Sequence, residues 1–242
     1  MKKIIAFSLW GDNPKYTIGA LRNVELAPKI YPGWDVFIYI DDKVPREIVD
    51  SMILHDHVTI IRKQSLGDWK SLFWRFETVE DFECDAVIFR DTDSRLNLRE
   101  YEAVQEWLVS DKTIHIMRDH PWHAFAILGG MWGLKTKEAV GFQNLLEKFK
   151  QKQAKDEYGT DYEFLQDYVY PIMNSHAMVH DPFFDKKEFP TLRIEGEFVG
   201  QVFDENEVTV AEHLAIINNT QSEHFKGQLQ RWISNKPALK NP

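Results

Sequence analysis

The chain has 242 residues, 43% of them hydrophobic and 13% aromatic with 8 Trp, enough for one large domain or two small ones with a sizeable core. Its 38 acidic residues outnumber 29 basic ones for a net charge of −9, and without a basic tract the balance argues against nucleic acid as a partner. The single cysteine, Cys84, excludes an intramolecular disulfide and reads as a small core hydrophobe.

Residues 3–10, KIIAFSLW, read as a buried strand ended by Gly11-Asp12-Asn13-Pro14. This apolar run is only about seven residues, too short for a signal region or a bilayer span. A cytoplasmic protein with no membrane anchor is therefore expected. A helix over 16–30 carries Ile18, Leu21, Leu26 and Ile30 at helical spacing. A turn at 31–34 leads to a second strand over 35–40, which runs into Asp41-Asp42. A short helix over 45–54 has Pro45 in its first turn, where the missing N–H is harmless. A strand over 57–63, a helix over 68–79 and a strand over 85–90 follow.

Next come a helix over 97–109, a strand over 113–118, and an apolar strand over 125–135 interrupted by Gly129 and Gly130. A long polar helix over 137–155 and another over 161–173 precede a short strand at 176–180 and an irregular tail. Strands alternating with helices predict an α/β fold: one Rossmann-like domain, its mainly parallel central sheet flanked by helices. No repeat, low-complexity stretch or linker interrupts it. Ligands of such sheets sit at the carboxyl ends of the strands.

One of those ends is unusual. In "VIFRDTDSRLNLRE", residues 87–100, an apolar strand ends in Asp91 and Asp93, flanked by Arg90, Arg95 and Arg99. Two carboxylates at i and i+2 suit a hard divalent cation, Mg²⁺ or Mn²⁺. Without one they would repel, and burial would raise a pKa. Guanidinium groups nearby could hold phosphate oxygens. Together these features point to a diphosphate ligand. The plainer alternative is a solvated loop in which Asp93 or Ser94 caps a helix.

The motif resembles the Asp-x-Asp metal- and nucleotide-sugar-binding motif of GT-A glycosyltransferases. The longer string FRDTDSRLNLREYEAVQEWLVSDKTIHIMRDHPWHAFAILGGMWGLK is similar to a set of small bacterial and large-DNA-virus GT-A proteins. These share R-D-x-D-S-R, R-D-H-P and G-G-M-W-G motifs. YGTDYEFLQDYVYP and EFVGQVFDE fit the same set, so the resemblance covers residues 3–205.

The resemblance implies a single GT-A-like domain over 1–242. Its nucleotide-binding half is 1–95, its acceptor and sugar half 96–205, and its irregular tail 206–242. The implied reaction moves a sugar from a UDP- or GDP-linked donor to a glycan or other hydroxyl acceptor, in surface or capsular glycan synthesis. Ser8, Leu9, Trp10 and Tyr16 would then contact the nucleoside. Asp91 and Asp93 would hold Mn²⁺ or Mg²⁺, with His180 as a further ligand. Arg75 and Thr92 would reach the donor, and Arg90 and Arg95 would balance charge there, by pairing with a carboxylate or with the donor. Gly129, Gly130 and Trp132 would line the sugar pocket, although Trp132 reads equally well as core.

Asp161 is either a helix cap or, in an inverting transfer, the base that deprotonates the acceptor; Asp119 competes for the second role, and a retaining transfer would need no such base. Tyr162 stands where many related enzymes have Gln, which leaves the role of Asp161 open. RDHPWH, with His120 and His123, is read three ways: a sugar-binding loop, a structural network, or a zinc site. Two other functions stay open. A sugar-phosphate nucleotidyltransferase would have a similar sheet but a Gly-rich basic loop after strand one. A non-catalytic glycan-binding protein could use the same fold.

Overall fold

The computed structural model describes residues 1–64, 69–139, 141–152, 157–194 and 196–219. Strand β1 (Lys3–Leu9) is buried from Ile4 onward. Helix α1 (Pro14–Ile30) starts at Asn13, whose side chain accepts from the N–H of Lys15, with Pro14 in the first turn. Strand β2 (Asp35–Ile40), helix α2 (Arg46–Met52) and strand β3 (Val58–Arg62) follow. A 3-10 helix (Lys70–Glu77) runs into a single α turn, α3 (Thr78–Asp81), and then β4 (Ala86–Arg90). Helix α4 (Leu98–Val109), capped by the Asn97 side chain, leads to β5 (Ile114–Met117) and β6 (Trp132–Lys135). Helices α5 (Phe142–Gln151), α6 (Thr160–Phe164) and α7 (Tyr170–Met173), strand β7 (Ala177–His180) and helix α8 (Ala211–Asn218) complete the described chain.

Among the described residues one seven-stranded sheet has the order β3-β2-β1-β4-β6-β5-β7. Every neighbouring pair is parallel except those of β6, which runs antiparallel to β4 and β5. The central strands read as unbroken apolar runs because both faces are covered. One face packs Phe37, Phe76, Phe89, Trp132 and Phe164 into a core. The other packs Ile38, Ile88, Val24 and Trp107 against α1 and α4. Each such side chain stabilises the fold by roughly 1.5–3 kcal/mol.

The sheet order also positions the site. The chain steps outward from β1 to β2 to β3, then returns to the opposite side of β1 with β4. The crevice outside the carboxyl ends of β1 and β4 is therefore the topological switch point, where open α/β sheets bind ligands.

Several expected elements differ. Only Trp132–Lys135 of the apolar stretch 125–135 is strand, and Gly129-Gly130 lie in the turn before it. The long helix expected over 137–155 is shorter, a 3-10 turn at Thr136–Glu138 and then α5; residues 140 and 153–156 lie outside the described set. The helix over 161–173 contains a π segment, Leu165–Val169, just before Pro171, which has no N–H to donate back to the Asp167 carbonyl. The segment after 205, expected to be irregular, holds α8; residues 220–242 lie outside the described set.

Candidate active site

β4 delivers its last residues to opposite sides of the sheet, as strand alternation requires. Arg90 follows Ala86 and Ile88 onto the α1–α4 face. There it is fully buried and donates to Glu100, to the Phe89 carbonyl at 2.7 Å and to the Trp132 carbonyl. Asp91 comes next and faces the crevice. The loop after it is held in shape by Ser94, whose hydroxyl donates to the Asp91 carbonyl at 2.9 Å. α1 grips the same loop: Asn23 Nδ2 donates to the Ser94 carbonyl at 2.8 Å and Asn23 Oδ1 accepts from the Leu96 N–H at 3.0 Å. Gly19 lies so close that a Cβ there would overlap the Thr92 carbonyl.

Two cations meet the carboxylates. Arg75 Nη1 lies 2.5 Å from Asp91 Oδ1, and Arg75 Nη2 lies 3.0 Å from Asp161 Oδ2. Lys15 Nζ lies 2.8 Å from Asp93 Oδ2. Arg75 comes from the 3-10 helix, which at eight residues exceeds the usual run of roughly three or four. Its hydrogen-bond ladder is opened by Ser8. The Ser8 hydroxyl accepts from the Arg75 N–H at 3.0 Å and donates to the Leu72 carbonyl at 3.2 Å, so it bridges a pair three residues apart. Ser8 thereby ties Arg75 to the end of β1.

Burial shapes the titration of the site. It pushes Asp161 up to about 6; the Arg75 guanidinium opposes the shift and the Asp91 charge adds to it. Asp93 is raised too, chiefly by burial and then by Asp91, against the pull of Lys15. This is the pattern expected of carboxylates crowded at one site.

A cavity of about 370 Å³ opens beside these groups, within the range of small-molecule sites. Its lining includes Ser8, Leu9, Trp10 and Tyr16 from the β1–α1 connection, Asp91, Thr92 and Asp93 from the acidic loop, and Asp161 and Tyr162 from α6. An aromatic rim continues from Trp10 through Trp69 and Tyr158 to Tyr162, with ring centroids 6.5, 5.2 and 6.2 Å apart. Gly11, at φ +71°, donates its N–H to Asp41 Oδ1 at 3.1 Å. The second carboxyl oxygen of Asp41 is buried without a protein partner among the described residues.

No protein-family model and no curated protein matches the sequence. Solved structures do. A glycosyltransferase involved in the glycosylation of the major capsid of PBCV-1 matches with a TM-score of 0.51 and 14% identity, over 76% of this chain and 84% of that chain. The galactosyltransferase LgtC, in complex with donor and acceptor sugar analogs, matches with a TM-score of 0.50 and 10% identity, over 93% of this chain and 99% of that one. The fold is the GT-A glycosyltransferase fold. A further match is the mannosyltransferase PcManGT from Pyrobaculum calidifontis in complex with GDP-Man and Mn²⁺, with a TM-score of 0.49 and 12% identity. It covers 77% of this chain, which spans 55% of that one, about half its length.

This GT-A fold brings together most of the residues singled out in the sequence. Ser8, Leu9, Trp10, Tyr16, Asp91, Thr92, Asp93 and Asp161 all line the cavity, and Arg75 reaches it from behind. Gly129 and Gly130 back onto Asp161 and Asp91, which a Cβ at either position would overlap.

Others are placed elsewhere. Arg90 is the core clamp described above. Arg95 pairs with Glu207 at 2.9 Å and lies over Phe203, so it braces the acidic loop from outside. Trp132 is fully buried, 4.3 Å from Phe89 in ring centroid, and belongs to the core. His180 ends β7, three places from β4 in the sheet order. Its ring nitrogens face His115 Nε2 at 2.8 Å and Glu106 Oε2 at 3.4 Å, so the fold does not bring it to Asp91 and Asp93.

Asp119 is fully buried. Its oxygens accept from Arg99 at 2.7 and 3.0 Å, from Arg193 at 2.6 Å and from the Val199 N–H at 3.0 Å. A carboxylate so committed anchors its loop and has no room to act as a base. His120 and His123 join that loop: His120 Nδ1 accepts from the Trp122 N–H and His123 Nδ1 from the Asp119 N–H. Among the described residues no cluster of three metal-ligating side chains exists, which leaves the zinc reading without support. Lys15, Gly19, Asn23 and Asp41 were not singled out in the sequence. The available signals were a lysine in a helix first turn and the acidic pair ending β2.

Proposed function

We propose that the chain is a metal-dependent glycosyltransferase that moves a sugar from a UDP- or GDP-linked donor to a hydroxyl of a glycan or other acceptor. The observation that carries this reading is the Asp91–Asp93 pair at the β1/β4 switch point, opening onto a cavity of ligand size. Among the described residues, Asp12, Asp91, Asp93 and Asp161 line that cavity, while Lys15 and Arg75 are the cations paired with its carboxylates. A diphosphate entering this negative field needs added positive charge. Asp91 and Asp93 suit an Mn²⁺ or Mg²⁺ ion, because hard cations accept one or two carboxylates completed by substrate phosphates. The Asp91 side chain is 44% exposed toward the crevice. When bound, such an ion neutralises charge on the leaving nucleoside diphosphate.

The chain's own groups supply the rest. Arg75 fixes Asp91 and Asp161 relative to one another. Trp10 and Tyr16 offer aromatic faces to the nucleoside. Asp161 takes the proton of the acceptor hydroxyl. With its carboxyl pushed up to about 6, it is anionic above that pH, so turnover rises as pH increases through about 6. Asp161→Asn is expected to flatten that limb and lower kcat by roughly 10²–10⁴-fold. An unchanged pH–rate profile in this variant would remove Asp161 from the role.

The nucleotidyltransferase alternative needs a loop of free N–H groups after β1 to cradle a triphosphate. Here the Gly11 N–H goes to Asp41, the Lys15 N–H to Asn13 Oδ1, and the Tyr16 and Thr17 N–H groups to the Asn13 carbonyl. The resemblance adds the expectation that the product is a surface or capsular glycan. No helix among the described residues is long and apolar enough to cross a membrane. The deciding experiment is an Mn²⁺-dependent turnover panel of UDP- and GDP-sugars. Release of nucleoside diphosphate supports the reading, whereas pyrophosphate made from a nucleoside triphosphate and a sugar phosphate would overturn it. Binding of donor with no turnover would favour the glycan-binding alternative.

A further inference from the structure

Lys15 is a cation in a place where helix physics favours an anion. It sits in the first turn of α1, a turn with no acidic residue, and the partial positive charge of a helix N-terminus disfavours lysine there. The backbone groups of that turn are already committed to Asn13. What remains is the side chain, which passes over the Tyr16 ring, 5.1 Å from its centroid, and ends 2.8 Å from Asp93 Oδ2. The contact is built, because Gly19 and Asn23 press α1 onto the backbone of residues 92–94. It also differs from its counterpart. Arg75 is buried and bridges two carboxylates, whereas the Lys15 side chain is 31% exposed beside the cavity-lining Asp93 and Tyr16 and, among the described residues, pairs with Asp93.

An ammonium and a divalent cation on one carboxylate repel each other, and each weakens the other's hold on it. An ion held by Asp93 would therefore compete with Lys15, and the anion brought in with it would be the donor diphosphate. We propose that Lys15 is a donor-binding residue that neutralises Asp93 in the empty pocket and moves onto the diphosphate when metal and nucleotide bind. This rests on the glycosyl-transfer reading above. It requires one side chain to act in opposite senses on two ligands. Lys15 opposes Mn²⁺ alone by competing for Asp93, and it favours the nucleotide–metal complex by contacting phosphate.

The test uses Lys15→Met, which keeps the apolar stem on Tyr16, and Lys15→Arg, which keeps the charge. Mn²⁺ binding without nucleotide is followed by electron paramagnetic resonance, and UDP and GDP binding at saturating Mn²⁺ by calorimetry. In Lys15→Met, Mn²⁺ alone is expected to bind more tightly, while nucleotide affinity falls about tenfold, as for loss of one charged hydrogen bond. Lys15→Arg is expected to restore most of the nucleotide affinity. A folded Lys15→Met protein with unchanged or weaker Mn²⁺ binding, or with unchanged nucleotide binding, overturns the proposal and leaves the glycosyltransferase reading standing. A wild-type chain that binds neither UDP nor GDP with Mn²⁺ overturns both.

Discussion

Gly130→Ala is expected to cut donor turnover by about a hundredfold or more while the chain stays folded. A Cβ at this position would overlap Asp91 Oδ2 and Cγ and stand 2.8 Å from the Asp91 backbone nitrogen. The backbone of Asp91 has little freedom to yield. It directly follows β4, which pairs with β1 on one side and β6 on the other, and its carbonyl accepts from Ser94. The carboxylate must therefore swing out of the crevice or the Gly129-Gly130 turn must shift. Misplacement of a reacting group by about 1 Å can cost a hundredfold. Gly129→Ala should behave alike through a different group, because its Cβ would overlap Asp161 Oδ2 and stand 2.6 Å from Arg75 Nη2. Donor kinetics, with thermal melting as the control for folding, check both. Wild-type turnover in a well-folded Gly130→Ala protein would mean that Asp91 does not need its present position.

The second large effect is on stability. Arg75→Met removes the partner of Asp161, whose side chain is only 4% exposed. Breaking a buried ion pair on one side costs roughly 3–5 kcal/mol, because the remaining charge is left uncompensated. For a chain of this size each kcal/mol lowers Tm by about 2–4 °C, which puts the expected loss at about 6–20 °C.

The pH dependence follows from the sign of the Asp161 shift. Its folded pKa, about 6, lies above the unfolded value near 3.9. Its contribution therefore favours the folded state most below the unfolded pKa and is lost as pH rises through the folded one. Removing Arg75, which holds the value down, raises it further. The Tm loss should accordingly be larger at pH 8 than at pH 5, and the Arg75→Met/Asp161→Asn double variant should recover part of it. Equal losses at both pH values would show that Asp161 is not the group left exposed to this penalty.

The strand ends were the legible part of this protein. β1, β2 and β4 announce themselves as apolar runs because helices cover both faces of the sheet, and Asp91 and Asp93 stand out because nothing apolar accompanies them. Arg75, 16 residues before Asp91 in the chain, was reachable only through the resemblance, since the contact depends on the 3-10 helix folding back under β1.

Arg90 and Arg95, open in the sequence between a carboxylate partner and the donor, each take a carboxylate, Glu100 and Glu207. The two-residue period of β4 sends Arg90 to the face of Ile88, and Arg95 turns out to Glu207. The same period places Trp132 with Leu134 in the core. His180 failed because strand order, which no local pattern encodes, sets it beyond β6 and β5 from the acidic loop. Gly19 and Asn23 act through close packing and the backbone carbonyls of Thr92 and Ser94, contacts that exist only once α1 lies against the loop.

The central claim is that Asp91 and Asp93 bind a nucleoside diphosphate through a divalent cation. Calorimetric titration of UDP and GDP with Mn²⁺ and with EDTA, on the wild type, Asp91→Asn and Asp93→Asn, tests it most directly. The expected result is binding by the wild type that disappears in EDTA and in both variants. Binding of equal strength in the variants, or in the wild type with the metal removed, would contradict it.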